Sequence, residues 1–133
     1  MFGSILFNIK NGNCKNIKEY NYNGILIFEG EYINGERNGK GKEYNYNGIL
    51  IFEGEYLNGE RNGKGKEYYN NGLLRFEGEY LKGKKWNGKG YNLFGSIIFQ
   101  IKNGNCKNIN YSKFIKFLIH YLIIYFFYQS LSI

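Results

Sequence analysis

The sequence predicts an all-β fold, an elongated single-layer antiparallel β-hairpin solenoid of about five repeats, followed by a short hydrophobic tail that we expect to be helical. Three observations predict it. A 24-residue unit recurs along the chain, apolar and polar positions alternate within each unit, and an Asn-Gly pair follows the alternating segment. Repeats of this period stack on their neighbours, so each unit buries surface only against the next one.

The repeat is clearest in the middle of the chain. The string Phe28–Tyr32 returns as Phe52–Tyr56 and again as Phe76–Tyr80. Two weaker copies, Gly3–Phe7 and Gly95–Phe99, keep the Gly-x-x-x-Phe spacing and bring the number of units to five. Residues 2–4 and 13–17 also recur 92 positions later, which suggests a slice of a larger array.

Substitutions between the units indicate which side chains face inward. The position four residues after the opening glycine is always Phe, and the position two residues before it is always Leu or Ile, whereas the positions between and after accept charge. This alternation predicts a half-buried strand. The predicted repeat core is Phe7, Phe28, Phe52, Phe76, Phe99, Gly30, Gly54, Gly78, Tyr32, Tyr56 and Tyr80, in which glycine allows close approach of a ring or a backbone.

Turn chemistry places the chain reversal after each strand. Asn34-Gly35 and its copy Asn58-Gly59 predict tight hairpin turns. A regular return strand would put Lys40, Lys42 and Tyr44 on the face opposite Glu43, although a bulge near Lys42 would reverse the tyrosine. In either case Glu29 and Glu31 would stand beside lysines of the neighbouring strands.

These residues resemble the MORN repeat, whose pattern is Tyr-Glu-Gly-Glu-Trp-x-Asn-Gly-Lys-x-x-Gly-x-Gly. The segment from Phe28 to Gly41, closed by Asn47-Gly48, carries the likeness, which covers residues 1–110. One extra residue between Gly48 and Phe52 is similar to the MORN-2 variant of antitoxin-like repeat proteins. The resemblance implies a hairpin solenoid that serves as a protein scaffold, oligomerises or contacts phospholipid head groups. Units one and five lack the Glu-Gly-Glu core, so such roles apply to units two to four.

Charge is unevenly distributed. The net charge is +7, all eleven Glu lie between Glu19 and Glu79, and residues 80–133 hold eight Lys and no acid. The cluster Lys82, Lys84, Lys85, Trp86 and Lys89 is our candidate lipid or partner contact, and the alternative is a solvated basic surface.

The two cysteines, Cys14 and Cys106, occupy equivalent positions four units apart, so we expect free thiols. No signal peptide is recognisable in residues 1–10, which makes a cytoplasmic location the expectation.

The function we expect is a non-enzymatic scaffold that mediates protein–protein interaction, with anionic phospholipid binding as the alternative. Catalysis or metal binding needs converging His, Asp, Glu or Cys side chains, and the lone His120 lies in the apolar tail. We therefore expect no cofactor, no metal and no small-molecule substrate. The acidic central repeats disfavour nucleic acid, and the single Trp disfavours an aromatic glycan-binding array.

The tail, residues 111–133, abandons the repeat of residues 1–110 and defines a second segment. Its run from Phe117 to Ile133 is almost entirely apolar, just short of a comfortable span of about 20 residues. Three interpretations stay open. The tail anchors the protein to a membrane through residues 114–133, it caps the open end of the array, or it is sequence read out of frame in a fragment with no function of its own.

Overall fold

The computed structural model describes residues 12–109 and 112–130, with the side chains of the helix described from Ile115 onward. The elements in chain order are β1 (Asn13–Tyr20), β2 (Leu26–Ile33), β3 (Glu36–Tyr44), β4 (Leu50–Leu57), β5 (Glu60–Tyr68), β6 (Leu74–Leu81), β7 (Lys84–Tyr91), β8 (Ile97–Lys102), β9 (Asn105–Asn108) and α1 (Ser112–Ser130). All nine strands form one antiparallel sheet in sequence order. This confirms the predicted hairpin architecture and the helical tail. The first predicted unit, with Gly3 and Phe7, lies outside the described residues.

The sheet has two faces of different character. We call the side that carries Phe28, Phe52 and Phe76 the aromatic face, and the side that carries Glu29, Lys42 and their repeat equivalents the charged face. The three phenylalanines are fully buried, and Tyr56 and Tyr80 are each 4% exposed. These five residues are the whole buried core of the described chain, with Tyr32, Phe99 and Ile101 packed at its margin.

A row of paired glycines runs through the middle of the sheet, and it explains how rings can lie flat against a single layer. Gly41 pairs with Gly30 on one side and with Gly54 on the other, and Gly65, Gly78 and Gly88 continue the row. A Cβ atom on Gly41 would lie 2.5 Å from Cζ of Phe28 and 3.0 Å from Cε2 of Tyr56. Glycine is therefore required at this position because a ring occupies the space of a side chain.

Irregularities in pairing occur twice per repeat, on either side of the glycine row. Tyr32 pairs with Arg37 although Gly30 pairs with Gly41, so β3 holds two extra residues there. A second shift separates Glu43 from Tyr44 on the β4 side. Neither shift lies at Lys42, which pairs with Glu29 and Glu53 as a regular strand requires. Tyr44 consequently stays on the charged face.

The turns at one edge of the sheet have the backbone that their sequence predicts. Asn34 and Gly35 both have positive φ, at 52° and 82°, and Asn58 and Gly59 repeat this pair. Gly59 donates its N–H to the carbonyl of Arg37 in the preceding unit at 2.9 Å. Successive turns are thus tied to one another as well as closing their own hairpins.

The helix α1 is mostly apolar, with Lys116, His120 and Gln129 among its few polar side chains. Every described side chain from Ile115 to Ser130 is exposed, including Phe117 at 68% and Phe127 at 64%. Within the described part of the chain, no helix combines the length and apolar character needed to cross a membrane.

Candidate functional site

The aromatic face is held together by rings from successive units. The Tyr56 ring centroid lies 5.3 Å from that of Phe28 and 5.7 Å from that of Phe52, in both cases edge to face. Tyr80 bridges Phe52 and Phe76 in the same way. The T-shaped arrangement is the favoured geometry for aromatic pairs. These aromatic residues therefore serve packing between repeats.

Above the rings lies a repeated set of ionic contacts that we call the Glu–Tyr–Arg ladder. Glu43 accepts hydrogen bonds from the Tyr56 hydroxyl at 2.5 Å and from Nε and Nη2 of Arg61 at 3.0 and 2.7 Å. The Arg61 guanidinium lies 3.9 Å above the Phe52 ring centroid. The same set recurs with Glu19, Tyr32 and Arg37, and with Glu67, Tyr80 and Lys85.

Burial and pairing shift the titration of the ladder. Burial alone would raise the pKa of Glu43, but the hydrogen bonds from Arg61 and Tyr56 outweigh it and hold the pKa below its usual value. The pKa of Glu67 is lowered for the same reasons, with Lys85 and Tyr80 as donors. Burial and the hydrogen bond to Glu43 raise the pKa of Tyr56. Glu43 and Glu67 are thus ionised, and Tyr56 is protonated, across the neutral pH range.

The charged face carries a long groove with a volume of about 1040 Å³. Its floor is the glycine row, and its walls alternate between acid and base from strand to strand. One wall consists of Lys18, Glu29, Lys42, Glu53, Lys66, Glu77 and Lys89, and the other includes Glu31, Lys40, Glu55, Lys64 and Glu79. We refer to this feature as the charged groove.

The carboxylates of the groove are held by neighbouring donors. Tyr44 donates a hydrogen bond from its hydroxyl to Glu29 at 2.6 Å. Burial and this hydrogen bond raise the pKa of Tyr44 to about 12. Tyr68 and Tyr91 hold Glu53 and Glu77 in the same way. On the opposite wall, Glu55 accepts the backbone N–H of Lys64 at 2.7 Å.

The groove lysines are engaged less. Lys42 lies 3.8 Å from Glu29, the one ion pair within 4 Å that a groove lysine makes with any carboxylate of the described residues. Lys40, Lys64 and Lys66 make none within that part of the chain. The walls therefore combine fixed acceptors with lysine donors that are available to a partner.

The five residues of the predicted contact cluster are not brought together on one surface. Lys85 pairs with Tyr80 on the aromatic face, where its Nζ lies 2.7 Å from Glu67 and 4.7 Å from the Phe76 ring centroid. Lys89 lines the charged groove on the other face.

Lys82 lies in the turn with a φ of 48°, and Lys84 is exposed beside it. The Trp86 side chain is 37% exposed, and the backbone carbonyl of Trp86 accepts the N–H of Gly104. Lys85 replaces the ladder arginine of the preceding units, which the identical spacing of Glu43 to Arg61 and Glu67 to Lys85 could have indicated.

The structure places other chemically capable residues apart. No group of three His, Cys, Asp or Glu side chains among the described residues is arranged to hold a metal ion. Cys14 is half-buried and Cys106 exposed, both as free thiols. His120 lies exposed on α1.

Sequence reasoning missed the ladder itself. It assigned Glu43 to the face opposite Lys42, which is correct, but it did not connect this carboxylate with a tyrosine 13 residues and an arginine 18 residues further along. The signal was present, because Glu19, Glu43 and Glu67 each have Tyr and a cation at these two spacings.

An open sheet of stacked hairpins with a charged groove on one face and an aromatic row on the other defines the molecule as a β-hairpin repeat protein. The family model of the MORN repeat matches residues 28–49 and 52–73, so these two segments are similar to MORN repeats. The match is to the MORN repeat in general, and the MORN-2 subtype stays a prediction. A search of curated proteins gave no match. MORN repeats are generally linked to interactions with proteins or membrane lipids, and proteins that carry them are typically non-enzymatic scaffolds.

Proposed function

We propose that this chain is a non-enzymatic scaffold that binds a protein partner along the charged groove. The observation that supports this proposal is the groove itself, which crosses seven strands and is covered by no second layer of the described structure. At roughly 4.8 Å between strands it extends about 29 Å, the length of an extended segment of about nine residues.

The chemistry of the walls suits a polypeptide of mixed charge. Carboxylates fixed by tyrosine hydroxyls can accept hydrogen bonds from a partner, and Lys40 and Lys64 can donate them. The glycine floor lets a ligand approach the backbone of the sheet closely. Exposed charge pairs favour specificity and rapid association over strong affinity, so we expect a salt-sensitive complex.

The test compares proteins captured from a lysate by three forms of the chain. The groove variant carries Lys40→Gln and Lys64→Gln, and the control carries Lys84→Gln and Lys107→Gln, which remove the same charge from exposed positions outside the groove. Partners retained by the wild type and the control but lost by the groove variant support the proposal. Equal capture by all three forms, with unchanged melting temperatures, contradicts it.

Lipid association is the second candidate, and the observation that favours it is α1. Its apolar side chains are exposed all round, and a helix of this kind is normally covered by protein or lipid. The chain from Leu81 onward holds eight Lys and no acid, which would attract an anionic membrane surface.

Flotation with vesicles of phosphatidylcholine, with and without phosphatidylserine, tests this candidate. The helix variant carries Ile119→Asn, Ile123→Asn and Phe126→Asn. Its control places three asparagines at aromatic positions of the array that are more exposed still, Tyr22, Tyr46 and Phe94. Flotation that the helix variant loses and the control keeps supports lipid association through α1. Absence of wild-type flotation on either vesicle rejects it.

A further inference from the structure

The repeats serve as internal controls for one another, and one junction departs from the pattern. Residues 24–47 and 48–71 are identical at all but three positions, where Leu57, Tyr69 and Asn70 replace Ile33, Asn45 and Tyr46. The next unit then carries Arg75 where the preceding units have Ile27 and Ile51. These departures meet in space, because the Arg75 guanidinium carbon lies 5.7 Å from the Tyr69 ring centroid.

The junction forms a pocket of about 320 Å³ that is open to solvent, which we call the Arg75 pocket. Its lining is Ile51, Arg61, Glu67, Tyr68, Tyr69, Asn70 and Arg75. Tyr69 is fixed across the pocket by its hydroxyl, which donates to the carbonyl of Tyr91 at 2.8 Å. Ile51 adds an apolar surface beside the two tyrosine rings. A volume of this size holds a small organic ligand.

The charges of the pocket do not balance. Arg61 is neutralised by Glu43 at 2.7 Å and by Glu67 at 3.1 Å. Glu67 is itself shared, since it also binds Lys85 at 2.7 Å and the Tyr80 hydroxyl at 2.8 Å. Arg75 makes no ion pair with any carboxylate of residues 12–109.

The exposed Arg75 guanidinium, which lies beside the Tyr69 ring, is therefore accessible to an anionic ligand. Guanidinium groups bind carboxylates through two parallel hydrogen bonds, and an adjacent ring and aliphatic side chain suit an apolar body attached to that carboxylate.

We propose that the Arg75 pocket binds an organic carboxylate whose carboxyl group lies next to an aromatic ring. This chemistry is shared by a small aromatic acid and by a polypeptide that ends in phenylalanine. Arg75 pairs with the carboxylate, Tyr69 and Ile51 contact the ring, and the Asn70 amide lies at the rim as a further donor. The pocket is separate from the charged groove, so the inference stands independently of the proposed scaffold role.

Binding is measured by chemical-shift titration of the full-length protein with benzoate and with acetyl-Gly-Gly-Phe, against benzyl alcohol and the C-terminal amide of the peptide as uncharged controls. At least one acid should bind at least tenfold more tightly than its uncharged control. Tighter binding of the peptide identifies a chain terminus as the ligand source, and tighter binding of benzoate identifies a small acid. No difference between either acid and its control overturns the proposal.

The decisive variant restores the residue of the other repeats. Arg75→Ile places in β6 the residue that β2 and β4 already hold at this position, so folding should be retained, and the affinity for the acid should fall at least tenfold.

In that background, Asn45→Tyr, Tyr46→Asn and Ile51→Arg rebuild the pocket one unit earlier, where Ile27, Arg37, Glu43 and Tyr44 supply the remaining lining. Recovery of binding by this variant supports the assignment. Unchanged affinity in the folded Arg75→Ile protein contradicts it.

Discussion

Arg61 binds Glu43 through two nitrogen atoms, at 3.0 and 2.7 Å, although the two residues lie 18 positions apart in different repeats. Both side chains are about four-fifths buried, with 24% and 19% of their surface exposed, and the guanidinium also covers the Phe52 ring. The contact joins β3 to β5 over the intervening strand β4. It therefore fixes the stacking of one repeat on the next.

Replacing Arg61 with Met should destabilise the array. The substitution keeps much of the apolar cover over Phe52 but leaves Glu43 without a charged donor, while Glu67 keeps Lys85. This should cost about 2 kcal/mol in the free energy of unfolding. Chemical denaturation measures this change. Arg75→Met is the matched control, since Arg75 has no ion pair among the described residues, and it should change stability by less than about 0.5 kcal/mol. Equal effects of the two substitutions would show that the ladder does not stabilise the stack.

Stability should fall on acidification. The pKa values of Glu43 and Glu67 are lowered in the folded chain, so their contribution is present above the unfolded value of 4.5 and is lost as the pH falls through the folded values. Melting temperatures between pH 6 and pH 2.5 measure this loss. Glu43→Gln with Glu67→Gln should flatten the dependence, and Glu36→Gln at an exposed turn position should not. An unaltered slope in the double variant would contradict the assignment.

Stability should also fall in strong base. Tyr44 and Tyr68 have pKa values raised from 10.0 to about 12, chiefly by burial and by the hydrogen bonds to Glu29 and Glu53. A raised folded pKa contributes stability that is fully present below pH 10 and is lost as the pH rises through the folded value. Denaturation midpoints from pH 9 to pH 12 should decline, and Tyr44→Phe with Tyr68→Phe should decline less. Parallel curves for the wild type and this variant would exclude the tyrosine contribution.

Gly54→Ala should be strongly destabilising. A Cβ atom there would lie 2.7 Å from the Lys64 carbonyl oxygen and 2.8 Å from Cα of Gly65, which are backbone atoms that cannot move aside without distorting the sheet. We expect a loss of about 2 to 3 kcal/mol, measured by urea unfolding. Gly59→Asn is the control, because nothing lies within 4 Å of its Cβ position and Asn tolerates the φ of 82°. A loss no larger than that of the control would contradict the close packing of the glycine row.

Phe52→Ala should cost about 3 to 5 kcal/mol, since the ring is fully buried between Tyr56 and Tyr80. Phe94→Ala, at a position that is 92% exposed, should leave the free energy of unfolding within about 0.5 kcal/mol of the wild type. Because repeats interact only with their neighbours, the unfolding of the Phe52 variant should also become less cooperative. A small loss in the free energy of unfolding, with cooperativity unchanged, would argue that the rings of the aromatic face are not the core.

The local architecture was readable from the sequence because each of its determinants is local. Alternation places Phe52 and Glu53 on opposite faces, and Asn58-Gly59 accepts the positive φ values that a tight turn needs. The glycine positions were assigned to the face of the rings for the same reason. Register followed from the repeat, since equivalent strands pair equivalently.

The spatial arrangement of the candidate contact residues was not readable from the sequence. The cluster around Lys85 was inferred from nearness in sequence, but neighbouring residues of a strand point to opposite faces, and Lys85 replaces a ladder arginine. The Arg75 pocket was not anticipated, although its three substitutions, Tyr69, Asn70 and Arg75, are visible when units are compared. Tyr69 and Arg75 come into contact next to the pairing shift between β5 and β6, and comparison of the units position by position does not show which residues meet there.

The sequence by itself determined the repeat, the strands, the turns and the aromatic core, because these follow from periodicity and backbone preference within 24 residues. Only the tertiary structure decided which charges meet. Glu43 and Arg61 become partners, whereas Arg75, Lys40 and Lys64 make no ion pair among the described residues, because stacking at the strand spacing brings together residues from different repeats. The strength of each such contact depends on burial and geometry, which composition does not specify.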